Sequence, residues 1–158
     1  MVLKRTIGDD SMLSEYFSFR AYAKHIYSHI MNPVCEKYGL KRTELDILLF
    51  LANNPQYDTA ADIVEQRLPV KSHVSSSLRT LEERGFISKS YKNGNRKTSH
   101  IKLCPSADAI ISEGRNAHKE FSAVLTDGIP ENDKRVIKNV LKKISENSEK
   151  YLKEIEGK

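Results

Sequence analysis

A short helical segment rich in hydroxyl groups is the part of this sequence best suited to bind a polar partner. From about Lys71 to Arg84 the apolar residues Val74, Leu78 and Leu81 are spaced as one buried helix stripe. The positions off that stripe carry small or hydrogen-bonding side chains: Ser72, His73, Ser75, Ser76 and Arg79. Serine is a poor helix former, but its short hydroxyl approaches DNA closely and bonds to bases or phosphates. These five side chains are therefore predicted to face the major groove of DNA, with Lys71 on phosphates.

A basic turn follows this helix. Lys92, Arg96 and Lys97 surround the sequence Asn-Gly-Asn at 93–95, and Asn-Gly is a strong hairpin signal. Arginine is attracted to the negative potential of a narrow minor groove. We therefore expect Arg96 to enter the minor groove, helped by Lys92 and Lys97. The alternative is a solvated hairpin whose charges protect its edges.

The charge distribution agrees with a phosphate-binding surface. The chain has 26 Lys and Arg against 21 Asp and Glu, a net charge of +5. The segment 67–102 alone holds nine basic and two acidic residues, so its charge is +7 and that of the remainder is −2. A localised excess of positive charge is expected where a protein binds nucleic acid. An uneven solvated surface is the alternative, and charge by itself does not decide between them.

The sequence offers little for catalysis. It contains no glycine-rich phosphate loop, no paired carboxylates in an apolar setting and no nucleophile elbow. The chain is therefore predicted not to be an enzyme, and no cofactor is expected.

Two residue pairs are weaker candidates for sensing a metal ion or an oxidant. His25 and His29 have the i, i+4 spacing of helical metal ligands, but structural zinc normally needs four ligands, so no metal site is predicted. Cys35 and Cys104 have no metal-ligand spacing and are too few for a disulfide framework. Buried, unreactive thiols are commoner than redox sensors, and the sequence leaves the reactivity of both cysteines open.

Size and composition favour one reduced, cytoplasmic domain. The 158 residues, 39% of them hydrophobic, are enough to bury a core. The longest apolar run, Ile47 to Ala52, is far shorter than the roughly 20 residues that cross a bilayer. The first ten residues include four charges and lack the apolar region of a secretory signal.

Apolar periodicity predicts a mostly α-helical chain with one β-hairpin. The expected helices cover 11–37, 43–52, 59–67, 71–84, 106–125 and 131–155, and the expected strands cover 86–92 and 98–103. Pro33 is expected to end or kink the first helix near Asn32. Thr43 with Asp46 resembles a capping pattern for the second helix, and Asp58 or Thr59 is expected to cap the third.

The first and last helices carry more apolar surface than a small core can cover. Along the last helix, apolar residues and one serine recur at spacings of four and three: Ile137, Leu141, Ile144, Ser148, Tyr151 and Ile155. Exposed apolar stripes of that size mark an interface, so a homodimer is predicted. The alternative is that the terminal helices pack on each other within one chain.

The order of these motifs resembles the MarR family of winged helix-turn-helix transcriptional regulators. The similarity rests on three segments: the helix 40–51, the run 71–87 with its Leu-Glu-Glu-Arg-Gly-Phe-Ile ending, and the hairpin Asn-Arg-Lys with the strand 101–103. The long helices before and after these segments match the family too. The resemblance implies one MarR-like domain over 1–158, with a DNA-binding part at about 38–104 and dimerisation helices at about 11–37 and 106–156.

The resemblance also implies a function. Such a protein is expected to bind a pseudo-palindromic operator as a homodimer and to repress transcription until a small ligand or an oxidant releases it. A cleft for a small aromatic acid between the first helix and the winged-helix core would be lined by Tyr16, Arg20, Tyr27 and Phe50. The competing interpretation of those aromatic residues is that they fill the core or an interface.

A helical protein–protein adaptor with a non-specific basic surface is the rival class. It would explain the apolar seam of the last helix. It would not explain the +7 segment or the hydroxyl-rich helix face.

Overall fold

The computed structural model describes residues 10–66, 71–91 and 98–156. Its elements are α1 (Asp10–Tyr38), α2 (Arg42–Asn53), α3 (Ala60–Gln66), α4 (Lys71–Glu83), β1 (Ile87–Tyr91), β2 (Ser99–Leu103), a 3-10 turn (Pro105–Ala107), α5 (Asp108–Leu125) and α6 (Glu131–Glu156). The prediction of a mostly helical chain with one hairpin is confirmed. None of the described helices is long and apolar enough to cross a membrane.

The chain divides into two compact units, one ending at Phe121 and the other beginning at Ser122. The first unit contains α1 to α4, the hairpin and most of α5. The second contains the last residues of α5 and all of α6.

The core of the first unit is built around α2. This helix is apolar on nearly every side, and its Leu45, Ile47 and Leu48 are fully buried. Gly114 of α5 lies against it, because a Cβ at that position would meet Leu49 Cδ2 at 2.9 Å. The small residue therefore lets α5 approach α2 closely, as close helix packing requires.

Helix α1 continues through Pro33 to Tyr38, which agrees with the predicted span 11–37, so Pro33 does not end the helix near Asn32. Proline inside a helix costs one backbone hydrogen bond and about 3 kcal/mol. The residues on either side of Pro33 are in the core: Met31, Val34 and Cys35 are buried. Burial of these side chains offsets the cost, and tertiary packing overrides the local signal.

Two helix starts are capped, one of them differently from the prediction. At α2 the backbone N–H of Lys41 donates to Glu44 Oε2 at 2.8 Å, so Glu44 caps the helix rather than Thr43 with Asp46. At α3 the backbone N–H of Thr59 donates to Asp62 Oδ2 at 2.9 Å, and the Asp62 N–H donates to Thr59 Oγ1 at 3.2 Å. This reciprocal pair is a capping box, and it confirms Thr59 as the cap of α3.

The β-hairpin follows α4 after one tight turn. Gly85 has a φ of +73°, a conformation that L side chains rarely adopt, which explains glycine at the helix end. Strands β1 and β2 pair antiparallel, with Ile87 opposite Leu103 and Tyr91 opposite Ser99. The Ser106 hydroxyl donates to the Gly85 carbonyl at 2.6 Å, which fastens the end of the hairpin to the end of α4.

The apolar residues of α6, in the second unit, are exposed. Helix α6 contains no buried residue. Its exposed large apolar side chains are Val136, Ile137, Val140, Leu141, Ile144, Tyr151, Leu152 and Ile155. In the first unit, the amino-terminal half of α1 is exposed in the same way, with Leu13 and Phe17 among its uncovered side chains.

Candidate nucleic-acid interface

Helices α3 and α4 pack together and form a helix pair preceding the hairpin. Ile63 of α3 and Val74 of α4 are fully buried. The connection between the helices, residues 67–70, lies outside the described residues. In a helix-turn-helix the second helix of such a pair presents its outward face to the major groove.

The outward face of α4 carries the five residues that the sequence predicts to face the major groove. The side chains of Ser72, His73, Ser75, Ser76 and Arg79 are all exposed. The opposite side of α4 is in the core, where Leu78 and Leu81 are buried. Ser72, Ser75, Ser76 and Arg79 follow the i, i+3, i+4, i+7 pattern, so they lie on one helix face. Lys71 is the first residue of α4, but its side chain is outside the described structure.

The serine hydroxyls of this face differ in their local bonding. Ser76 Oγ donates to the His73 carbonyl at 3.1 Å. Ser72 and Ser75 have no side-chain hydrogen bond to any residue in the described part of the chain. Hydroxyls without an internal partner are free to bond to an incoming polar surface.

Arg79 is held only weakly. Its Nε lies 3.9 Å from Glu83 Oε1, and both side chains are about 70% exposed (74% and 69%). Such an exposed pair contributes little, so the guanidinium can exchange it for a phosphate or base edge. The neighbouring acid Glu82 is paired with Lys89 at 2.6 Å, which neutralises a negative charge beside this face.

The hairpin is tethered through its second strand. His100 Nδ1 lies 2.7 Å from Asp58 Oδ1, and the Ile101 N–H donates to the Asp58 carbonyl at 2.7 Å. Both contacts join β2 to the residue that precedes the capping box of α3. The sequence did not indicate this tether, because the two residues are 42 positions apart. Asp58 is explained locally as a candidate helix cap, and His100 as a residue of the predicted second strand.

The basic residues predicted to reach the minor groove are Lys92, Arg96 and Lys97. All three lie outside the described residues, so this assignment stays a prediction. The described strands pair up to Tyr91 and Ser99.

Arg84 fixes the end of α4 to the end of α1. Its Nη2 donates to the Tyr38 carbonyl at 2.7 Å and its Nη1 to the Gly39 carbonyl at 2.8 Å. Its guanidinium also lies over the Phe86 ring, 4.9 Å from the centroid. Arg84 thus satisfies carbonyls that a helix end leaves unpaired and orients α4 in the unit. The charge count included Arg84 without indicating this role.

A cavity of about 300 Å³ lies between α1, α2 and α5. Its lining residues are Tyr27, Asp46, Leu49, Phe50, Asn53, Asn54 and His118. Two residues of the predicted ligand cleft, Tyr27 and Phe50, are among them. Tyr16 and Arg20 do not line it, and Tyr16 instead packs edge-on against Phe17 with ring centroids 5.5 Å apart.

A hydrogen-bond chain spans this cavity. The Tyr27 hydroxyl donates to Asp46 Oδ1 at 3.0 Å and lies 3.0 Å from His118 Nε2. Burial, with the nearby Asp46 carboxylate, raises the pKa of Tyr27 well above its usual range, so the phenol stays protonated. Since the phenol proton goes to Asp46, His118 must donate its Nε2–H to the Tyr27 oxygen. Burial likewise raises the pKa of Asp46, against the lowering effects of the Tyr27 bond and of Arg42.

The other sensing candidates are separated in the fold. His25 and His29 are exposed on α1, and the described residues contain no group of three His, Cys, Asp or Glu placed to hold a metal ion. Cys35 is buried in the core and Cys104 is half-buried after β2.

Part of the chain matches a known protein family. Residues 38–94, which include α2 to β1, match the model of the MarR family. No protein of curated function matches the sequence.

Solved structures resemble the chain over most of its length. One is a MarR family transcriptional regulator from Listeria monocytogenes solved with a 26-mer DNA, with a TM-score of 0.76 and 19% identity over 90% of this chain and 95% of that one. A second is S. aureus MepR in complex with DNA, with a TM-score of 0.66 and 21% identity over 84% and 94%. A third is a MarR transcriptional regulator from Methanosarcina mazei Go1, with a TM-score of 0.70 and 14% identity over 90% and 99%. At these identities the likeness establishes a shared fold.

Proposed function

We propose that this chain is a homodimeric transcriptional repressor that acts on DNA in the cytoplasm. The premise of this proposal is membership of the MarR family, whose model matches residues 38–94. The observation that carries the proposal is the exposed hydroxyl and arginine face of α4, set opposite a buried stripe on the same helix. Two relatives of this fold were solved with DNA, which supports the same partner here.

On this proposal the two DNA grooves are contacted by different elements. Lys71 contacts phosphates, and five side chains face the major groove: Ser72, His73, Ser75, Ser76 and Arg79. Arg96 enters the minor groove, helped by Lys92 and Lys97. Phosphate contacts set position and affinity, whereas contacts to base edges set sequence preference.

The exposed apolar faces of the terminal helices support dimerisation. We propose that the chain works as one MarR-like domain, with residues of about 38–104 on DNA and helices of about 11–37 and 106–156 in the dimer interface. The uncovered apolar side chains of α1 and α6 support this assignment, since apolar patches of that extent mark interaction surfaces. A two-fold dimer would place its two α4 helices about one DNA turn, ~34 Å, apart on a pseudo-palindromic site.

Release by a small effector is the third part of the proposal. The cavity lined by Tyr27 and Phe50 lies between α1, α2 and α5, and α2 also packs on α4. A ligand seated there would touch the helix that supports the DNA-reading helix.

Selection of bound sequences from a random duplex library tests the proposed function. The purified protein should enrich an inverted repeat whose half-sites are centred about one helical turn apart. The variant Arg79→Ala should lose enrichment at specific positions of each half-site, while retaining some binding. Enrichment of a single half-site would contradict the dimeric mode. Recovery of unselected sequence would contradict specific recognition and favour the adaptor.

A further inference from the structure

The carboxyl end of α4 is bound to the end of α1. Arg84 directly follows α4, and its Nη2 and Nη1 donate to the carbonyls of Tyr38 and Gly39 at 2.7 and 2.8 Å. The same guanidinium lies over the Phe86 ring, 4.9 Å from the centroid. A guanidinium that uses two donors at once fixes an orientation as well as a distance. The contact therefore holds the direction in which α4 leaves this point.

The same end of α1 is also bound to α5. Glu113 Oε1 accepts the Tyr38 hydroxyl at 2.7 Å and the Lys37 ammonium at 2.6 Å. Lys37, Tyr38, Gly39, Arg84 and Glu113 thus connect three helices, and we call this group the α1-end joint. Because α5 belongs to the proposed dimer interface, the joint connects that interface to the helix proposed to read DNA.

The joint controls a property of α4 that apolar packing leaves loose. Burial of Leu78 and Leu81 decides which face of α4 is turned inward, but the attraction between apolar surfaces has no direction. Ser72 precedes Arg84 by 12 positions, so at about 1.5 Å per residue the two ends of α4 are about 18 Å apart. A tilt of about 5° at the Arg84 end would move the Ser72 end by about 1.5 Å. Hydrogen bonds tolerate only about 0.5 Å in length, so such a tilt would misplace the proposed DNA contacts.

In a two-fold dimer this tilt acts twice. Two tilts of about 5° change the separation of the proposed DNA-reading ends by about 3 Å, close to the rise of one base pair, ~3.4 Å. We infer that Arg84 is a positioning residue: through the α1-end joint it fixes the tilt of α4 and thereby sets the half-site spacing that the dimer accepts. This inference rests on the proposed function.

Duplexes that differ only in half-site spacing test the inference. They carry the selected inverted repeat with its half-sites moved apart or together by one or two base pairs, and fluorescence anisotropy measures their affinity for the full-length protein. The wild-type protein should prefer one spacing by at least about tenfold over its neighbours. Arg84→Met keeps a long apolar stem over Phe86 but loses the donors, so it should reduce this preference to about threefold or less. Arg84→Lys, which retains a charged donor, should restore part of it.

Arg115→Met is the matched control. Arg115 makes bonds of the same kind, to the Ala52 carbonyl at 2.9 Å and to Asn53 Oδ1 at 3.1 Å, but both partners belong to α2. Its spacing preference should equal that of the wild type. Glu113→Ala, which releases the α5 side of the joint, should change the preference in the same direction as Arg84→Met. The salt dependence of affinity should be unaltered in Arg84→Met, because a lost phosphate contact would lower its slope by about 1.

Each outcome decides the inference. An unchanged spacing preference in Arg84→Met and Glu113→Ala would overturn it. A lowered salt slope would make Arg84 a phosphate contact, and equal broadening in Arg115→Met would reflect a general loss of rigidity; either would overturn it too. Glu113 is partly exposed, so its variant keeps the test valid even if Arg84→Met folds poorly.

The wild-type data separate this inference from the proposed function. A wild-type protein without any sequence preference would refute the proposed function and the inference with it. A wild-type protein with a sharp spacing preference that both joint variants retain would refute only the role of the joint.

Discussion

His100 and Asp58, 42 residues apart in sequence, meet at 2.7 Å and join the hairpin to the start of the α3–α4 pair. The contact sets where the hairpin points relative to the helix face that carries Ser72 and Arg79. The half-buried side chains of this pair, together with the bond from the Ile101 N–H to the Asp58 carbonyl, thus link two elements proposed to reach different grooves.

Loss of this tether should weaken DNA binding more than stability. We expect His100→Ala or Asp58→Asn to lower affinity for the selected DNA by roughly five- to tenfold, and to change unfolding stability by only about 1 kcal/mol. Anisotropy titration and thermal unfolding measure the two effects. Glu131→Gln, which removes an exposed ion pair with Lys134 in α6, is the matched control and should change neither. An unaltered affinity in both tether variants would show that the hairpin does not need this anchor.

Substitutions at the two members of the exposed Arg79–Glu83 pair are predicted to have opposite effects on DNA affinity. Arg79→Ala should cost about 1–3 kcal/mol of specific binding and relax the preference at one base position. Glu83→Gln removes the weak competitor at 3.9 Å and one negative charge, so binding should stay the same or tighten. Titrations against the selected duplex and single-base variants of it measure both. Equal losses in the two variants would mean that the pair acts only within the helix.

The hairpin tip is predicted to contribute in two ways. Arg96→Ala should weaken binding most on sites whose flanks have a narrow, A·T-rich minor groove, because that groove attracts arginine. Lys97→Ala should weaken binding to all DNA sequences alike. It should also reduce the salt dependence of the affinity by the share of one phosphate contact. Affinities measured over a range of salt concentrations for A·T-rich and G·C-rich flanks distinguish these effects. If Arg96→Ala left affinity unchanged on both, the minor-groove assignment would be wrong.

Asp46 should cost stability. Burial raises its pKa in the folded protein above the ordinary value of 3.8, so the folded state disfavours the ionised form. The destabilisation by the ionised Asp46 carboxylate is complete at pH values above its pKa in the folded protein. It disappears at pH values below its pKa in the unfolded chain. Asp46→Asn should therefore unfold at a higher temperature than the unaltered protein at pH 7, and this gain should vanish below about pH 4.

Thermal unfolding of the Asp46→Asn and unaltered proteins across pH 3.5 to 8 provides the check. Glu36→Gln serves as control, because loss of its exposed carboxylate should leave the pH profile unaltered. A destabilised Asp46→Asn protein at pH 7 would show that the bond from Tyr27 outweighs burial.

The local sequence pattern predicted the helices and their exposed faces. It did not predict contacts between residues that are far apart in the sequence. The exposed face of α4 followed from the spacing of Val74, Leu78 and Leu81, since helix geometry alone decides which residues share a side. The bond between Tyr27 and His118 joins residues 91 positions apart, and no local signal indicates it. The spacing of Thr43 and Asp46 indicates a cap, whereas in the fold the Asp46 carboxylate accepts the Tyr27 hydroxyl from another helix.

Sequence-specific DNA binding is checked by titrating the wild-type protein with DNA from upstream of its own gene. Fluorescence anisotropy would compare that duplex with a scrambled one of equal length and composition, at several salt concentrations. We expect saturable binding to the upstream duplex at nanomolar protein, and binding to the scrambled duplex that is roughly a thousandfold or more weaker. Equal and strongly salt-dependent binding to both duplexes, or no binding to either at low salt, would contradict sequence-specific recognition by α4.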